Sequence, residues 1–239
     1  MRTEELRYTA DGLEMRGSIY RPPAEEKCPA VLVFPEAFGL GDHAMDFAER
    51  IASELGYVAL ACDLHGNRKI LSSDESRDVL APLRAPGGFR ARTHEPLRAL
   101  VNEADVDPAR VAAVGFCIGG TMALQLALDG VGLKAAVGFH CGLQFTIAPE
   151  TLPNDAQLMA LIGADDPAAP PEQRLALERQ LTQAGIDWQM MLYGGVVHSY
   201  TQKDAAKLGK PELARYDAKA DRRSWQEMAM LLAEVFAPI

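Results

Sequence analysis

Gly115-Phe116-Cys117-Ile118-Gly119-Gly120 follows an apolar run, Val111-Ala112-Ala113-Val114, and leads into a helix-like stretch, Thr121 to Leu128. In order, these read as a strand, a sharp turn and a helix with a thiol at the apex, the pattern of a nucleophile elbow. The geometry explains the residue types. A turn tight enough to thrust one side chain into the open brings together the positions two before and two after it, and these are Gly115 and Gly119. The following helix directs its N-terminus at the thiol, and the Ile118 N–H is a ready donor to an oxyanion formed beside it. The plainer alternative is a buried structural cysteine, since free cysteine is among the most buried residue types.

A base separates the two readings. His198 lies in Tyr193-Gly194-Gly195-Val196-Val197-His198-Ser199-Tyr200, just after the apolar strand Trp188 to Tyr193. Asp165 and Asp166 lie in Gly163-Ala164-Asp165-Asp166-Pro167, just after another apolar strand, Gln157 to Ile162. Either aspartate could reach a histidine. Nucleophile, acid and histidine thus occur in the order, and in the post-strand loops, of an α/β-hydrolase, where catalytic groups gather at the carboxyl ends of the strands.

With these pieces the chain resembles the dienelactone hydrolase family over almost its whole length. The likeness is carried by Phe34-Pro35-Glu36-Ala37-Phe38-Gly39-Leu40, Ala61-Cys62-Asp63-Leu64, the elbow, Gly163-Ala164-Asp165-Asp166, and Gly194-Gly195-Val196-Val197-His198-Ser199-Tyr200-Thr201. The resemblance implies a Cys117, His198, Asp166 triad, the family's spacing selecting Asp166 over Asp165. It matches Glu36 to a glutamate that neighbours the nucleophile, and makes the Ala37 N–H the second oxyanion donor. One departure concerns substrate: where family members carry a carboxylate-binding arginine four residues after the histidine, this chain has Gln202. Losing such a charge-assisted bond costs roughly 1.5–3 kcal/mol, so a different lactone or small carboxylic ester is expected in place of dienelactone.

The chemistry expected is two-step acyl transfer. Cys117 attacks an ester or lactone carbonyl, the Ala37 and Ile118 N–H groups receive the oxyanion, and His198, oriented by Asp166, activates water against the thioester. Neither metal nor organic cofactor is required. A thiol of ordinary pKa, about 8.5, is only a few per cent ionised near neutrality, and a helix N-terminus contributes only roughly 0.3–1 kcal/mol. His198 must therefore help ionise it, whereas a charged Glu36 opposes ionisation and is expected to keep the resting thiol protonated. Phe38, Phe89, His140 and Tyr200 are candidates for the substrate pocket. Two other readings use the same residues: a thioester- or carbon–carbon-cleaving hydrolase, and a redox-sensing or ligand-binding thiol without turnover.

The elements that must position these groups alternate in type. Glu4 to Thr9 and Leu13 to Tyr20 flank Ala10-Asp11-Gly12 as a hairpin. Strands are expected at Pro29–Phe34, Tyr57–Cys62 and Lys134–Phe139, with helices from Asp42 to about Leu55, Pro171 to Ala184 and Ser224 to Phe236. The alternation indicates a mainly parallel sheet covered on both faces, in a single domain spanning residues 1–239. Residues 67–93 break the rhythm with charge, Pro82, Pro86 and Gly87-Gly88, and read equally as a cap over the site or as a solvated loop. A second polar stretch, Thr201 to Asp221, is a candidate for the rim.

Composition narrows the class. A chain of 239 residues with formal charge −9 does not suit nucleic acid or an anionic membrane surface. No stretch approaches the roughly 18 apolar residues of a membrane span, and there is no apolar leader near Met1, so a cytoplasmic location is the default expectation. Cys28, Cys62 and Cys141 fall in or at the ends of apolar runs without metal-site spacing, as core thiols do. The expected partner is a small-molecule ester or lactone.

Overall fold

The structure, a computed structural model, describes residues 1–24, 26–145 and 155–237. Its strands are β1 (Arg2–Ala10), β2 (Leu13–Arg21), β3 (Cys28–Phe34), β4 (Val58–Ala61), β5 (Val106–Phe116), β6 (Ala135–Phe139), β7 (Gln157–Gly163) and β8 (Trp188–Tyr193). They form one sheet in the order β1-β2-β4-β3-β5-β6-β7-β8. The β1–β2 hairpin is antiparallel and joins β4 antiparallel, and every pairing from β4 to β8 is parallel. This is the α/β-hydrolase architecture expected from the alternating elements.

Strand periodicity builds two cores. Along β3, Leu32 and Phe34 face one way, toward Met122, Leu126, Leu177 and Leu181. Val31 and Val33 face the other way, toward Ala44, Phe47, Trp225, Met228 and Leu232. Helices α1 (Asp42–Arg50) and α6 (Ala218–Val235) cover the second face; α4 (Ile118–Leu128) and α5 (Pro171–Gln183) cover the first. Strands buried on both sides are the reason these segments read as continuous apolar runs.

Three boundaries differ from the sequence expectation. The α1 helix passes at Ile51–Leu55 into a π-turn, ended by left-handed Gly56. The α6 helix starts six residues before Ser224, because the Asp217 side chain accepts from the Lys219 and Ala220 N–H groups and caps it. The excursion is helical: α2 (Ser73–Leu80) begins at a Ser72/Glu75 capping box, Pro82–Arg84 form a 3-10 turn, and α3 (Arg90–Val101) follows. The signal for α3 was obscured by Gly87-Gly88 before it and Pro96 inside it. Among the described residues no helix is long and apolar enough to cross a membrane.

Candidate active site

β5 ends at the elbow. Cys117 has φ 54°, left-handed and costly for a side-chain-bearing residue, and is held there by its N–H donating to the Phe139 carbonyl at 3.0 Å. A Cβ on Gly115 would lie 2.2 Å from the Gly119 carbonyl oxygen, and one on Gly119 would lie 2.3 Å from the Pro35 oxygen. Both glycines are therefore required by contact, as the turn geometry anticipated. The elbow places a half-buried thiol at the N-terminus of α4, where Ile118 has an N–H without an intrahelical acceptor.

The loops after β7 and β8 bring up the other two groups. His198 Nδ1 lies 2.8 Å from Asp166 Oδ2, and the Asp166 side chain is fully buried. Asp166 Oδ1 accepts from the Ala168 N–H at 2.8 Å. Asp165 is exposed and held only through its backbone, donating to the Val196 carbonyl. The pairing therefore selects Asp166 on geometry alone. The polar stretch after His198 braces it: the His198 N–H donates to the Leu213 carbonyl, and the Arg215 N–H donates to the His198 carbonyl.

Burial disfavours a charge on the His198 ring, but a Cys117 thiolate, hydrogen bonds with Asp166 and Cys117, and the Asp166 charge outweigh it and raise its pKa to about 10. With Nδ1–H directed at Asp166, Nε2 is left for Cys117. Since the folded value exceeds the ordinary one near 6.5, this ring's contribution to stability is complete below about 6.5 and is lost as pH rises through about 10.

The β3 loop carries the remaining candidates. The Gly39 N–H donates to the Glu36 carbonyl at 3.1 Å, and His65 Nε2 meets the Ala37 carbonyl at 2.8 Å. Both peptide planes flanking Ala37 are thereby fixed, including the one that bears the Ala37 N–H. Glu36 does not hydrogen-bond the thiol: its Oε1 lies 2.6 Å from His43 Nδ1, both side chains are mostly buried, and the His43 ring packs on Phe116 at 4.2 Å. Sequence reasoning missed His43 and His65. The signal for His43 was its place at the start of a helix seven residues after Glu36; for His65, its place two residues beyond Asp63, whose carboxylate accepts from the backbone N–H groups of Arg16, His65, Gly66 and Arg68.

A cleft of about 780 Å³ opens over Cys117 and His198, walled by residues 84–87, Phe89 and Arg90 of the excursion and by α4. The excursion therefore forms part of the site. Of the pocket candidates, Phe89 lines this cleft, whereas His140, Tyr200 and Phe38 do not. His140 is fully buried behind His198, its ring centroid 5.0 Å away and its Nε2 2.8 Å from Thr201 Oγ1. Burial, then the nearby His198 charge, drives its pKa well down and keeps it neutral. Tyr200 is likewise core, with its hydroxyl donating to the Leu161 carbonyl at 3.1 Å. Phe38 is half-buried, and its carbonyl accepts from the Leu71 N–H. The corrections for His140 and Tyr200 share a cause: residues following a strand can turn inward beneath the loops, and spacing does not reveal which do.

Gln202 is outside the cleft, its side chain accepting from the Asp204 N–H. Among the excursion arginines, Arg68 and Arg92 are tied to backbone carbonyls and Arg77 to Asp74, while Arg84 and Arg90 reach the cleft wall. Among the described residues no group of three or more His, Cys, Asp or Glu side chains could hold a metal.

An elbow at the end of the fifth strand of such a sheet, with an acid and a histidine in later loops, defines an α/β-hydrolase. The family model for the dienelactone hydrolase family matches residues 15–236, and the chain belongs to that family. The dienelactone hydrolase-like promiscuous phosphotriesterase from metagenomic libraries is 35% identical with TM-score 0.93, each chain 99% covered. The solved structure m3DLH is 38% identical with TM-score 0.89, again with 99% of each covered. A carboxymethylenebutenolidase from Pseudomonas sp. is 32% identical over 147 residues, which are 59% of this chain and 61% of that one. The protein is a hydrolase acting on esters or lactones.

The raised His198 pKa can be read by NMR titration of its ring. Wild type is expected to hold the imidazolium beyond pH 8, and Cys117→Ala to release its proton at lower pH because the thiolate charge is gone. Equal titration in the two proteins would show that the thiol does not raise it.

Proposed function

We propose that the chain, as a single α/β-hydrolase domain, hydrolyses small carboxylic esters or lactones through Cys117, His198 and Asp166 and a thioester acyl-enzyme. The observation that carries this reading is the 2.8 Å His198–Asp166 contact beside a thiol held outward at φ 54°. His198, its pKa raised to about 10, is the base beside Cys117 that takes the thiol proton, which a helix N-terminus alone does not remove. The thiolate attacks the carbonyl carbon, and the Ile118 and Ala37 N–H groups receive the developing charge on oxygen. His198 gives its proton to the leaving alcohol, then takes one from the water that cleaves the thioester, while Asp166 holds the tautomer. No resident metal or organic cofactor enters this sequence, and its partner is a small molecule.

Hydrolysis of a short activated aryl ester and a small unsaturated lactone tests this. Cys117→Ala is expected to lower kcat/KM at least about a thousandfold on both. Asp166→Asn should cost at least about a hundredfold, because it loses the tautomer-fixing partner, and Asp165→Asn less than about threefold. The reverse order for the two aspartates would overturn the assignment.

Glu36 is assigned a positioning role. Its bond to His43 ties the loop that presents the Ala37 N–H to the start of α1, in place of the thiol-guarding contact expected from sequence. Glu36→Gln is expected to lower kcat while its profile of Cys117 alkylation against pH overlays that of wild type. A shifted alkylation profile would restore the guarding role.

The likeness to a promiscuous phosphotriesterase favours a second, weaker activity at the same thiol, since two N–H donors suit a phosphoryl oxygen as well as a carbonyl oxygen. Turnover of a dialkyl aryl phosphate, abolished in Cys117→Ala, is the expected result. Turnover unchanged in that variant would place any such activity elsewhere.

A further inference from the structure

We propose that the cleft is an acyl-chain trough running the length of α4, and that the preferred substrates are uncharged esters with an extended acyl arm. This deepens the hydrolase reading above and rests on it. The cleft wall includes Ile118, Thr121, Met122, Gln125, Leu128 and Asp129, which recur at helical spacing along one stripe of α4 from its first residue to its C-cap. Eleven steps of about 1.5 Å make that stripe roughly 16 Å long. The cleft is therefore elongated, with the thiol at one end.

The direction of the trough identifies which arm of the ester occupies it. The leaving alcohol must face His198, which protonates it, and His198 stands with Pro167 and Ala168 at the thiol end. The arm that runs away from His198 along α4 is the acyl arm. Arg90, at the start of α3, reaches Asp129 at the far end of α4, and Phe89 and Phe145 also line the cleft.

The lining specifies polarity. Between the thiol and the far end, the α4 stripe offers apolar or uncharged side chains. At the far end Asp129 accepts from Gln125 Nε2 at 3.0 Å and pairs with Arg90 at 3.6 Å, beside a His94 ring whose pKa burial lowers, while Arg84 lines the excursion side of the cleft. A charged arm would have to separate these groups, whereas an uncharged chain lies over the stripe without disturbing them. A small lactone fills only the thiol end of about 780 Å³.

The test is kcat/KM for p-nitrophenyl esters from acetate to decanoate, below their micellar concentrations. Each fully buried methylene is worth about fourfold in binding, and a trough open along one side gives less. The expected rise from acetyl to octanoyl is about tenfold or more. Gln125→Trp, which places an indole midway along the trough, is expected to reduce the octanoyl-to-acetyl ratio at least about tenfold. If that variant does not fold, Arg90→Trp on the exposed wall is expected to move the optimum to shorter chains. An arm of octanoyl length ending in a carboxylate is expected to be the poorer substrate. Rates that fall steadily beyond acetyl, or a rising profile that neither tryptophan alters, would overturn the trough while leaving the hydrolase reading intact; acetyl turnover that survives Cys117→Ala would overturn that reading instead.

Discussion

The site depends on a steric contact at which two side chains are missing. Gly115 lies against the Gly119 backbone, and Gly119 against the carbonyls of Phe34 and Pro35, so closely that no Cβ fits at either position. Only with those chains in contact can Cys117 take its left-handed conformation, which costs on the order of 1–3 kcal/mol and must be held by its surroundings. The hold comes from three directions: the Cys117 N–H on Phe139, the Cys117 carbonyl accepting from Gly120 and Thr121, and the β5 ladder with β3 and β6. The same contact presses the start of α4 against the end of β3, where the Phe34 and Pro35 carbonyls meet Gly119.

Electrostatics around that thiol are arranged by burial as much as by charge. Two imidazole rings lie 5.0 Å apart, and their pKa values move in opposite directions. His140 has Thr201 as a neutral partner and sits wholly in the core, so it stays uncharged and forms part of the packed wall behind the site. His198 lies between Cys117 and Asp166, and its interactions with both outweigh its desolvation. A second charged ring at the His140 position would repel the His198 imidazolium and weaken its pairing with the thiol. Full burial of Asp166, with both oxygens engaged, removes the water that would otherwise compete for the His198 Nδ1–H.

The excursion explains how a fold shared by many hydrolases acquires its own cleft. Residues 67–93 leave the carboxyl end of β4, form α2 and a 3-10 turn, and deliver Phe89 and Arg90 opposite α4. The segment is anchored at both ends, by Arg68 on the β2 carbonyls and by Arg92 on Asp11 and the Leu64 carbonyl. Two of its five arginines are therefore structural, while Arg84 and Arg90 line the cleft, a division that the sequence, showing only five arginines in a polar stretch, did not reveal.

By itself the sequence determined the sheet, the elbow and the placing of Cys117, Asp166 and His198 in post-strand loops, because those depend on local rules: apolar periodicity, glycine where a Cβ cannot fit, and the alternation of strand and helix. Tertiary structure decided what local rules do not encode. Asp166 and Asp165 are neighbours in sequence, yet only Asp166 turns inward to His198. His140 and Tyr200 stand next to functional positions but point into the core, and Glu36 finds His43 on the following helix in place of the thiol. Each of these outcomes follows from which long-range neighbour satisfies a buried polar group, and that neighbour exists only once the sheet has brought the loops to one edge.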